Sequence, residues 1–533
     1  MILADIKYKD HVMARSDIAH YFDREDLTLR ERPTTLRYLD SFWGSWGISR
    51  SADMPSVEEL EQHFCEHFHS FQPEYYVQVP GKVNLIGDHI DYSGYSALPM
   101  AIEQSIVVAI GRSEGNPTVW LTNLNSERYK NVNVKIADIT ADTFARKKCW
   151  ANYFLCGVKG AREITMNIRK LRKMGNTGFL FAISSSIPED SGLGCSSALI
   201  TAGMLSALVG YDVHCYRLGL ALDLAMCESF AGQIKTNPVN SSGLNQAIAM
   251  CARQGYAARI NFDPLEFEQY RLPSDVKFVI AQSLAIKNNL ASDNFNTRKM
   301  ECRLASQIIA KQLNLEWKNL TVLATLQENS GNTLDQMIEL VHQHLHVNSY
   351  SRNEICEILS VEATTDYNTK DVTEFFLHQR ALHVFEEAKR LETFCSLCET
   401  PGTASDLGRL MDESHSSLRD LYQCSHPDLD ELVDVCKRGH AYGCKLTGAG
   451  WGGCVVAMVP SVGVDEFIEF IKDQFYAKKN TGAKCFAELI FVANPSEGAS
   501  LFLAPNYTDN NNDRIEKKNM MHNRTYNGDG YYT

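Results

Sequence analysis

The chain contains no uninterrupted apolar run of about 18 residues, the length that a membrane-spanning helix requires. It opens with a charged segment, MILADIKYKDHVMARSD, which lacks the apolar core of a secretory signal peptide. It also lacks a basic excess, since 52 Lys and Arg stand against 65 Asp and Glu, for a net charge of −13. The sequence therefore predicts a cytoplasmic protein that binds neither a membrane nor nucleic acid.

Cysteine spacing offers no metal site and no disulfide framework. The 533 residues include 16 cysteines, scattered through the chain, and only Cys395 and Cys398 have C-x-x-C spacing. That pair has neither a second half nor an adjacent histidine, so it does not fit a zinc site. Reduced thiols in a cytosolic globular protein are the simplest interpretation, and 44% hydrophobic and 22% charged residues agree with it.

Strand and helix patterns alternate along most of the chain. Apolar or alternating runs predict strands at 75–87, 97–113, 131–138, 178–188, 276–284 and 485–494. Helical spacing predicts helices at 56–68, 149–173, 216–232, 294–313 and 464–476. The interleaving indicates a mixed α/β or α+β fold, and the polar, Asn-rich segment after residue 504 is predicted to be disordered.

The first of three glycine-bearing stretches is PGKVNLIGDHIDY, residues 80–92, at the end of a predicted strand. It brings together an amine, an imidazole and the carboxylates of Asp88 and Asp91. Each carboxylate accepts two hydroxyl hydrogens, which suits a polyhydroxylated ligand. A polar loop without a ligand is the alternative.

The second stretch is PEDSGLGCSSA, residues 188–198, ahead of a predicted helix. Backbone N–H groups at such a helix start favour a phosphate. The hydroxyls of Ser196 and Ser197 can donate to phosphate or reach a magnesium ion. No Gly-Lys-Ser/Thr follows, so this is not a Walker A loop. A small-residue helix start packed on a sheet explains the pattern equally well.

The third stretch is LTGAGWGGC, residues 446–454, with four glycines in six residues. Glycines in that density let a ligand or another chain segment approach the backbone closely. A tight turn between two strands is the alternative.

The order and spacing of the three stretches resemble the GHMP small-molecule kinases, and within them the galactokinase branch. PGKVNLIGDHIDYSGYSALPMAI resembles the galactokinase signature, SGLGCSSAL the phosphate loop and KLTGAGWGGCVVAMVP the C-terminal glycine motif. WANYFLCGVKG, NFNTRKMECRLA and ESHSSLRDLYQCSHPDLDELVDVCK resemble the N-acetylgalactosamine kinase subgroup. The resemblance runs from about residue 60 to residue 503.

The resemblance implies a two-lobed fold and a phosphoryl transfer. It places an N-terminal α/β domain of the ribosomal S5 type at 56–274 and a ferredoxin-like domain at 275–503. A divergent extension, 1–55, precedes them, and the tail, 504–533, follows. The implied reaction moves the γ-phosphoryl of ATP, with Mg²⁺, to the anomeric hydroxyl of a sugar. Galactose and N-acetylgalactosamine both remain open as that sugar.

The resemblance also assigns site residues by position. The sugar and its reacting hydroxyl would meet Lys82, Asp88, His89, Asp91 and Asn245. Trp150 would stack near adenine, and Ser196 would reach Mg²⁺. The phosphates would lie against the second stretch, at Gly192, Leu193, Gly194, Ser196 and Ser197. Asn288 and Asn289 would also contact the nucleotide.

The sequence departs from the family where the chemistry takes place. Lys82 stands where the family has Arg, and Lys is a point charge instead of a rigid fork. Asn245 stands where the family has the Asp that acts as base or orients the nucleophile, and an amide cannot accept the proton. Asp88 replaces a Glu, and Gly194-Cys195 replaces two serines.

These departures leave two hypotheses open. The first is a sugar kinase with slow or altered turnover. The second is a catalytically inactive paralogue that closes on its ligand and signals to a protein partner.

Overall fold

The computed structural model describes residues 36–38, 57–69, 71–140, 149–166, 177–189, 191–211, 243–262, 265–285, 291–361, 372–400, 404–479, 481 and 486–504. The predicted helix 216–232, most of the extension 1–55 and the tail beyond Ala504 lie outside these residues. Helices and strands alternate along the described chain, so the predicted mixed α/β class is confirmed.

The described residues form fifteen strands. They are β1 (Leu36–Tyr38), β2 (Tyr75–Ile86), β3 (Leu98–Glu114), β4 (Thr118–Asn123), β5 (Val132–Lys135), β6 (Thr177–Ser185), β7 (Tyr256–Phe262), β8 (Leu265–Arg271), β9 (Val276–Gln282), β10 (Tyr350–Ser351), β11 (Glu374–Phe375), β12 (Gly443–Thr447), β13 (Cys454–Pro460), β14 (Ile490–Ala493) and β15 (Ser500–Leu503).

The same residues form thirteen α-helices. They are α1 (Val57–Phe68), α2 (Ala151–Met166), α3 (Cys195–Gly210), α4 (Leu244–Cys251), α5 (Ala291–Gln312), α6 (Leu323–Ser330), α7 (Leu334–His344), α8 (Arg352–Leu359), α9 (Leu377–Glu399), α10 (Ala404–Asp420), α11 (Pro427–Arg438), α12 (Val464–Gln474) and α13 (Phe486–Leu489). None of them is long and apolar enough to cross a membrane.

A seven-stranded sheet forms the N-terminal half, in the order β1-β15-β2-β3-β6-β4-β5. The interior strand β2 is buried over nearly its whole length, and its sequence is accordingly mostly apolar. The β2–β3 pairing shifts register between Pro80 and Lys82 and again between Asn84 and Ile86. Such irregularities re-aim side chains. They lie in the part of β2 that contacts Leu193 and Thr447, where the site lies.

Helix α3 packs on strands β2 and β3 of this sheet, and helix α2 packs on α3 through glycines. A Cβ on Gly157 would lie 2.0 Å from the Ile200 carbonyl oxygen, and one on Gly203 would lie 2.1 Å from the Phe154 carbonyl oxygen. The two helix backbones therefore touch, which explains the small residues in this region. Helix α3 is buried over nearly its whole length and is apolar all round.

A four-stranded antiparallel sheet, β12-β13-β9-β14, forms the C-terminal half together with the helices that follow β9. Strand β15 then returns to the first sheet and pairs antiparallel with β2. The predicted C-terminal domain, 275–503, thus ends in a strand that belongs to the N-terminal sheet. The sequence of the four-residue strand β15 does not indicate which strand it pairs with, so its pairing with β2 was not predicted.

Candidate active site

The three glycine-bearing stretches meet at the end of β2. The backbone N–H of Lys82 donates to the carbonyl of Leu193, in the second stretch, at 2.9 Å. The backbone N–H of Asn84 donates to Thr447 Oγ1, in the third, at 3.2 Å, and that hydroxyl in turn donates to the Asn84 carbonyl at 3.3 Å. Residues far apart in sequence therefore build one site.

Two glycines allow the second stretch to touch the third and the first. Gly448 has φ +81°, and a Cβ there would lie 2.9 Å from the carbonyl oxygen of Gly192. Gly194, at φ +78°, begins α3, and a Cβ there would lie 3.2 Å from Cγ of Lys82. The loop before α3 is thus held between the glycine motif and the Lys82 side chain, and any larger residue at these positions would push them apart.

A chain of buried polar side chains runs from Lys82 into the C-terminal half. Lys82 Nζ donates to Asn84 Oδ1 at 3.1 Å, and Asn84 Nδ2 donates to Asp88 Oδ1 at 2.9 Å. The other Asp88 oxygen forms an ion pair with Lys445 Nζ. Both Asp88 oxygens thus accept hydrogen bonds from protein groups, and the contact of Asp88 with the sugar stays a prediction.

His89 is engaged by protein at both ring nitrogens. Its Nε2 lies 3.1 Å from the Ala449 carbonyl oxygen, which only accepts, so Nε2 carries the proton. Burial lowers the pKa of His89, which favours the neutral ring. Nδ1 then accepts from the Tyr92 hydroxyl at 2.9 Å, and Tyr92 is hydrogen-bonded to Tyr422. His89 thus ties the first stretch to the third, and its contact with the sugar also stays a prediction.

Asp91 begins a short 3-10 turn beside a partly buried lysine. Lys299, on α5, has its Nζ 5.3 Å from the centroid of the Tyr92 ring, and burial lowers its pKa while the charge of Asp91 opposes the shift. The ring of Phe295 lies 5.2 Å from that of Tyr92. The predicted sugar contact at Asp91 is therefore flanked by an ammonium group and by aromatic faces.

Asn245 lies in the first turn of α4, next to the loop before α3. Its Nδ2 donates to Ser197 Oγ at 3.3 Å. Ser197 is buried and Asn245 is half-buried. The predicted position of the nucleophile-orienting group is therefore adjacent to the predicted phosphate loop, and an amide occupies it.

Trp150 lies just before α2. Its Nε1 donates to the Lys130 carbonyl at 3.0 Å, and its ring packs edge-on against Tyr129 at 6.3 Å. Arg128 links this corner to the loop through an ion pair with Glu189 at 2.6 Å. The adenine contact of Trp150 stays a prediction, while Asn288 and Asn289 lie outside the described residues.

Comparison with known proteins agrees with this arrangement. Residues 62–112 match the galactokinase galactose-binding signature, 158–253 the N-terminal domain of GHMP kinases and 391–477 their C-terminal domain. A galactokinase of Dictyostelium discoideum is 32% identical over 508 residues, which cover 88% of this chain and 97% of that relative. The chain belongs to the galactokinase family of GHMP kinases.

Other relatives support the galactokinase assignment. A galactokinase of Saccharomyces cerevisiae is 28% identical over 493 residues, covering 81% of this chain and 92% of that protein. The crystal structure of Lactococcus lactis galactokinase complexed with galactose superposes with a TM-score of 0.61 at 22% identity, covering 83% of this chain and 99% of that one. This last similarity shows the fold, and it confirms the predicted GHMP kinase architecture.

Sequence reasoning missed the residues of α9 that hold the galactokinase signature in place. Glu387 Oε1 accepts from the backbone N–H of Gly87 at 2.9 Å, and His383 Nε2 donates to the Asp88 carbonyl at 3.2 Å. Both side chains are fully buried. A signal was present, since an acid and an imidazole four residues apart share one face of a helix, but nothing in the pattern said that this face was buried.

The two buried α9 groups have strongly shifted acid–base properties. Burial lowers the pKa of His383 to about 3, and Ser417 donates to the unprotonated Nδ1 at 2.8 Å. Burial alone would raise the pKa of Glu387, but the charge of Arg390 and a hydrogen bond from Ser414 help to bring it down to about 2. At neutral pH this support is therefore a neutral imidazole and a carboxylate.

We expect His383 to make the fold sensitive to mild acid. Its folded-state pKa of about 3 lies below the ordinary 6.5, so the unfolded chain binds a proton that the folded protein refuses. Its stabilisation is complete above pH 6.5 and is lost as the pH falls toward 3, by about 2–3 kcal/mol between pH 6.5 and 4.5. Glu387 changes the stability with pH only below its ordinary pKa of 4.5, so the change expected between pH 6.5 and 4.5 comes from His383 and not from Glu387.

Urea unfolding of the full chain at pH 7 and pH 4.5 measures the effect. In His383→Gln the drop in unfolding free energy between the two pH values should shrink by about 2–3 kcal/mol. His344→Gln, which removes a half-buried imidazole from the last turn of α7, serves as the control for the loss of an imidazole as such. An equal drop in His383→Gln and the parent would contradict the assignment.

Proposed function

We propose that this protein binds ATP and a galactose-type sugar and transfers the γ-phosphoryl group to the anomeric hydroxyl, with slow turnover. The observation that carries the proposal is the meeting of the galactokinase signature, the loop before α3 and the glycine motif at one place. The relatives named galactokinase support the reaction class, since they match the chain over nearly their whole length. Galactose and N-acetylgalactosamine are the two candidate sugars.

The residues divide the work by their positions. Lys82, against Gly194, would neutralise charge on the transferring phosphoryl, and Asn245 would accept a hydrogen bond from the attacking hydroxyl through Oδ1, since Nδ2 faces Ser197. The backbone around Gly192 would receive the phosphates at the start of α3. Phosphoryl transfer depends mainly on positioning and charge neutralisation, so such a site retains part of its function without a base.

Magnesium fits the site as an ion carried by the nucleotide. Among the described residues no group of three or more His, Cys, Asp or Glu side chains converges to form a metal cage. The half-buried Ser196, in the first turn of α3, offers one hard oxygen ligand, and Mg²⁺ characteristically completes its shell with phosphate oxygens and water. When bound there, the ion would neutralise phosphate charge.

A second candidate is a ligand-responsive binding protein without catalysis. The amide at Asn245 favours it, because it cannot take the sugar's proton and its Nδ2 is already committed to Ser197. Losing a general base costs about 10²–10⁴ in rate. In this form the protein would bind both ligands and signal to a protein partner.

Calorimetry and an ADP-release assay separate the two. The full chain is titrated with ATP and Mg²⁺, with galactose and with N-acetylgalactosamine, and ADP release is then followed with each sugar, using glucose as the control. We expect binding of ATP and of one galactose-type sugar, with turnover below the roughly 1–100 s⁻¹ of ordinary kinases. Turnover within that range would overturn the slow-enzyme proposal, no turnover with binding would favour the second candidate, and no binding would overturn both.

A further inference from the structure

Lys445 is a fully buried lysine on β12, opposite the galactokinase signature. Its side chain is 0% exposed and that of its partner Asp88 is 2% exposed. Its Nζ donates to Asp88 Oδ2 and, at 3.1 Å, to the Leu446 carbonyl. A buried ion pair of this kind is weak support for stability, because desolvating both charges costs about as much as their attraction returns. The ion pair therefore matters mainly for the side chains that it orients, beginning with Asp88.

We propose that Lys445 is a positioning residue that aims the Lys82 ammonium at the terminal phosphate of the bound nucleotide, acting through Asp88 and Asn84. The proposal rests on the proposed function, since it assumes a nucleotide at the loop before α3. The Lys445 side chain is fully buried, so in this proposal it acts through Asp88 and not by contact with nucleotide or sugar.

The hydrogen bonds along this chain converge on the Asp88 carboxylate from both sides. Lys445 donates to Asp88, Asn84 Nδ2 donates to the other Asp88 oxygen, and Asn84 Oδ1 accepts from Lys82 Nζ. A charged carboxylate at Asp88 can only accept, so it obliges the Asn84 amide to turn its NH₂ inward and its oxygen toward Lys82. Removing Lys445 would take away the hydrogen bond and the counter-charge that hold one Asp88 oxygen. The buried carboxylate would then have to find another partner, and the Asn84 amide that it orients would no longer be fixed.

The main chain of the same segment is held by other groups. Thr447 binds both the N–H and the carbonyl of Asn84, and Glu387 binds the N–H of Gly87. His383 binds the Asp88 carbonyl. Lys445 contributes nothing to the backbone of the turn. Lys445 instead determines the orientation of the Asp88 side chain, and through it the orientations of the Asn84 amide and the Lys82 ammonium group.

Lys82 lies where that orientation affects a phosphate. Its backbone N–H holds the Leu193 carbonyl, and its side chain lies against Gly194, at the N-terminus of α3. A lysine is a point charge on a flexible stem, so its contact with a phosphate depends on neighbours that hold the ammonium in place. Asn84 is such a neighbour.

The test compares the affinities of the full chain for ADP and for the non-hydrolysable β,γ-imido analogue of ATP, measured by calorimetry with Mg²⁺. The ratio of the two affinities reports contact with the terminal phosphate and needs no turnover. The variants are Lys445→Met, Lys82→Met, their double mutant and Lys445→Arg. Lys472→Met, which removes a lysine paired with Glu469 on α12, is the matched control. Asn84→Ala interrupts the same chain but keeps the Asp88–Lys445 ion pair, should Lys445→Met fail to fold.

We expect the parent to prefer the triphosphate analogue and Lys445→Met or Asn84→Ala to lose about tenfold of that preference, as when one charge-assisted hydrogen bond is lost. Lys82→Met should lose as much, the double mutant no more, and Lys445→Arg and Lys472→Met little. An unchanged preference in Lys445→Met, or in Asn84→Ala where the former does not fold, would overturn the proposal. So would a further loss caused by Lys445→Met in the Lys82→Met background, which marks a structural role.

The nucleotide affinities of the parent protein separate the role of Lys445 from the proposed function. A parent that binds both nucleotides equally well would overturn the role of Lys445 and leave the proposed function standing. A parent that binds neither would overturn the proposed function, and the role of Lys445 with it.

Discussion

Asn245→Asp should raise the rate of ADP release with galactose or N-acetylgalactosamine about 10²-fold or more, because it places a carboxylate, which can act as a general base, where the proposed site has an amide. The new carboxylate would take the place of the amide that now contacts the Ser197 hydroxyl. Asp and Asn are nearly isosteric, so the half-buried position needs no repacking. The gain should be in kcat, with the KM for ATP little changed.

The pH profile distinguishes a base from a general repair of the site. In Asn245→Asp, kcat should rise with pH through the ionisation of the new carboxyl and then level off. Asn245→Ala should show no gain, and Asn329→Asp, the same chemical change on the exposed face of α6, should behave as the parent. If Asn245→Asp shows no gain in kcat, Asn245 does not limit turnover, and Lys82 becomes the next residue to test.

Elements with strong periodic patterns were predictable from sequence. The runs at 75–87, 276–284 and 464–476 correspond to β2, β9 and α12 within two residues. The glycine stretches could be joined only through the resemblance, because nothing in a single stretch says that another lies beside it. The contact of Gly192 with Gly448 bridges 256 positions of chain.

The buried charges of the site could not be predicted from sequence. Lys445 stands between Cys444 and Leu446 in a strand pattern, where alternation favours a solvent-facing side chain. Its burial depends on Asp88, a partner 357 residues away. His383 and Glu387 likewise occupy helix positions whose burial is decided by the turn that they support. Local pattern reports periodicity, whereas these positions are determined by tertiary pairing.

The contacts across the two halves explain why the site depends on both. Asp88 and His89, from the N-terminal half, reach Lys445 and the Ala449 carbonyl, from the C-terminal half. The signature therefore serves as a connection between the lobes as well as a candidate ligand surface. A change in the C-terminal glycine motif should then act on nucleotide binding in the other half.

Gly448→Ala should weaken nucleotide binding by about tenfold to a hundredfold. At φ +81° an alanine is strained by about 1–2 kcal/mol, and its Cβ would lie 2.9 Å from the Gly192 carbonyl oxygen. The atoms nearest to this Cβ are all backbone atoms of Gly192, so the loop before α3 has to move. The N–H groups that would face the phosphates then move with it. Titration with ADP and Mg²⁺ measures the loss, and the midpoint of thermal unfolding reports the strain separately.

Gly331→Ala provides the matched control for Gly448→Ala. Gly331, after α6, also has a positive φ, +68°, but a Cβ there meets nothing within 4 Å. It therefore has the backbone strain without the collision, and we expect a modest loss of stability with unchanged ADP affinity. If both variants bind ADP alike, the close approach of Gly448 to Gly192 has no part in nucleotide binding. If only Gly448→Ala loses affinity, the glycine motif of one lobe shapes the phosphate loop of the other.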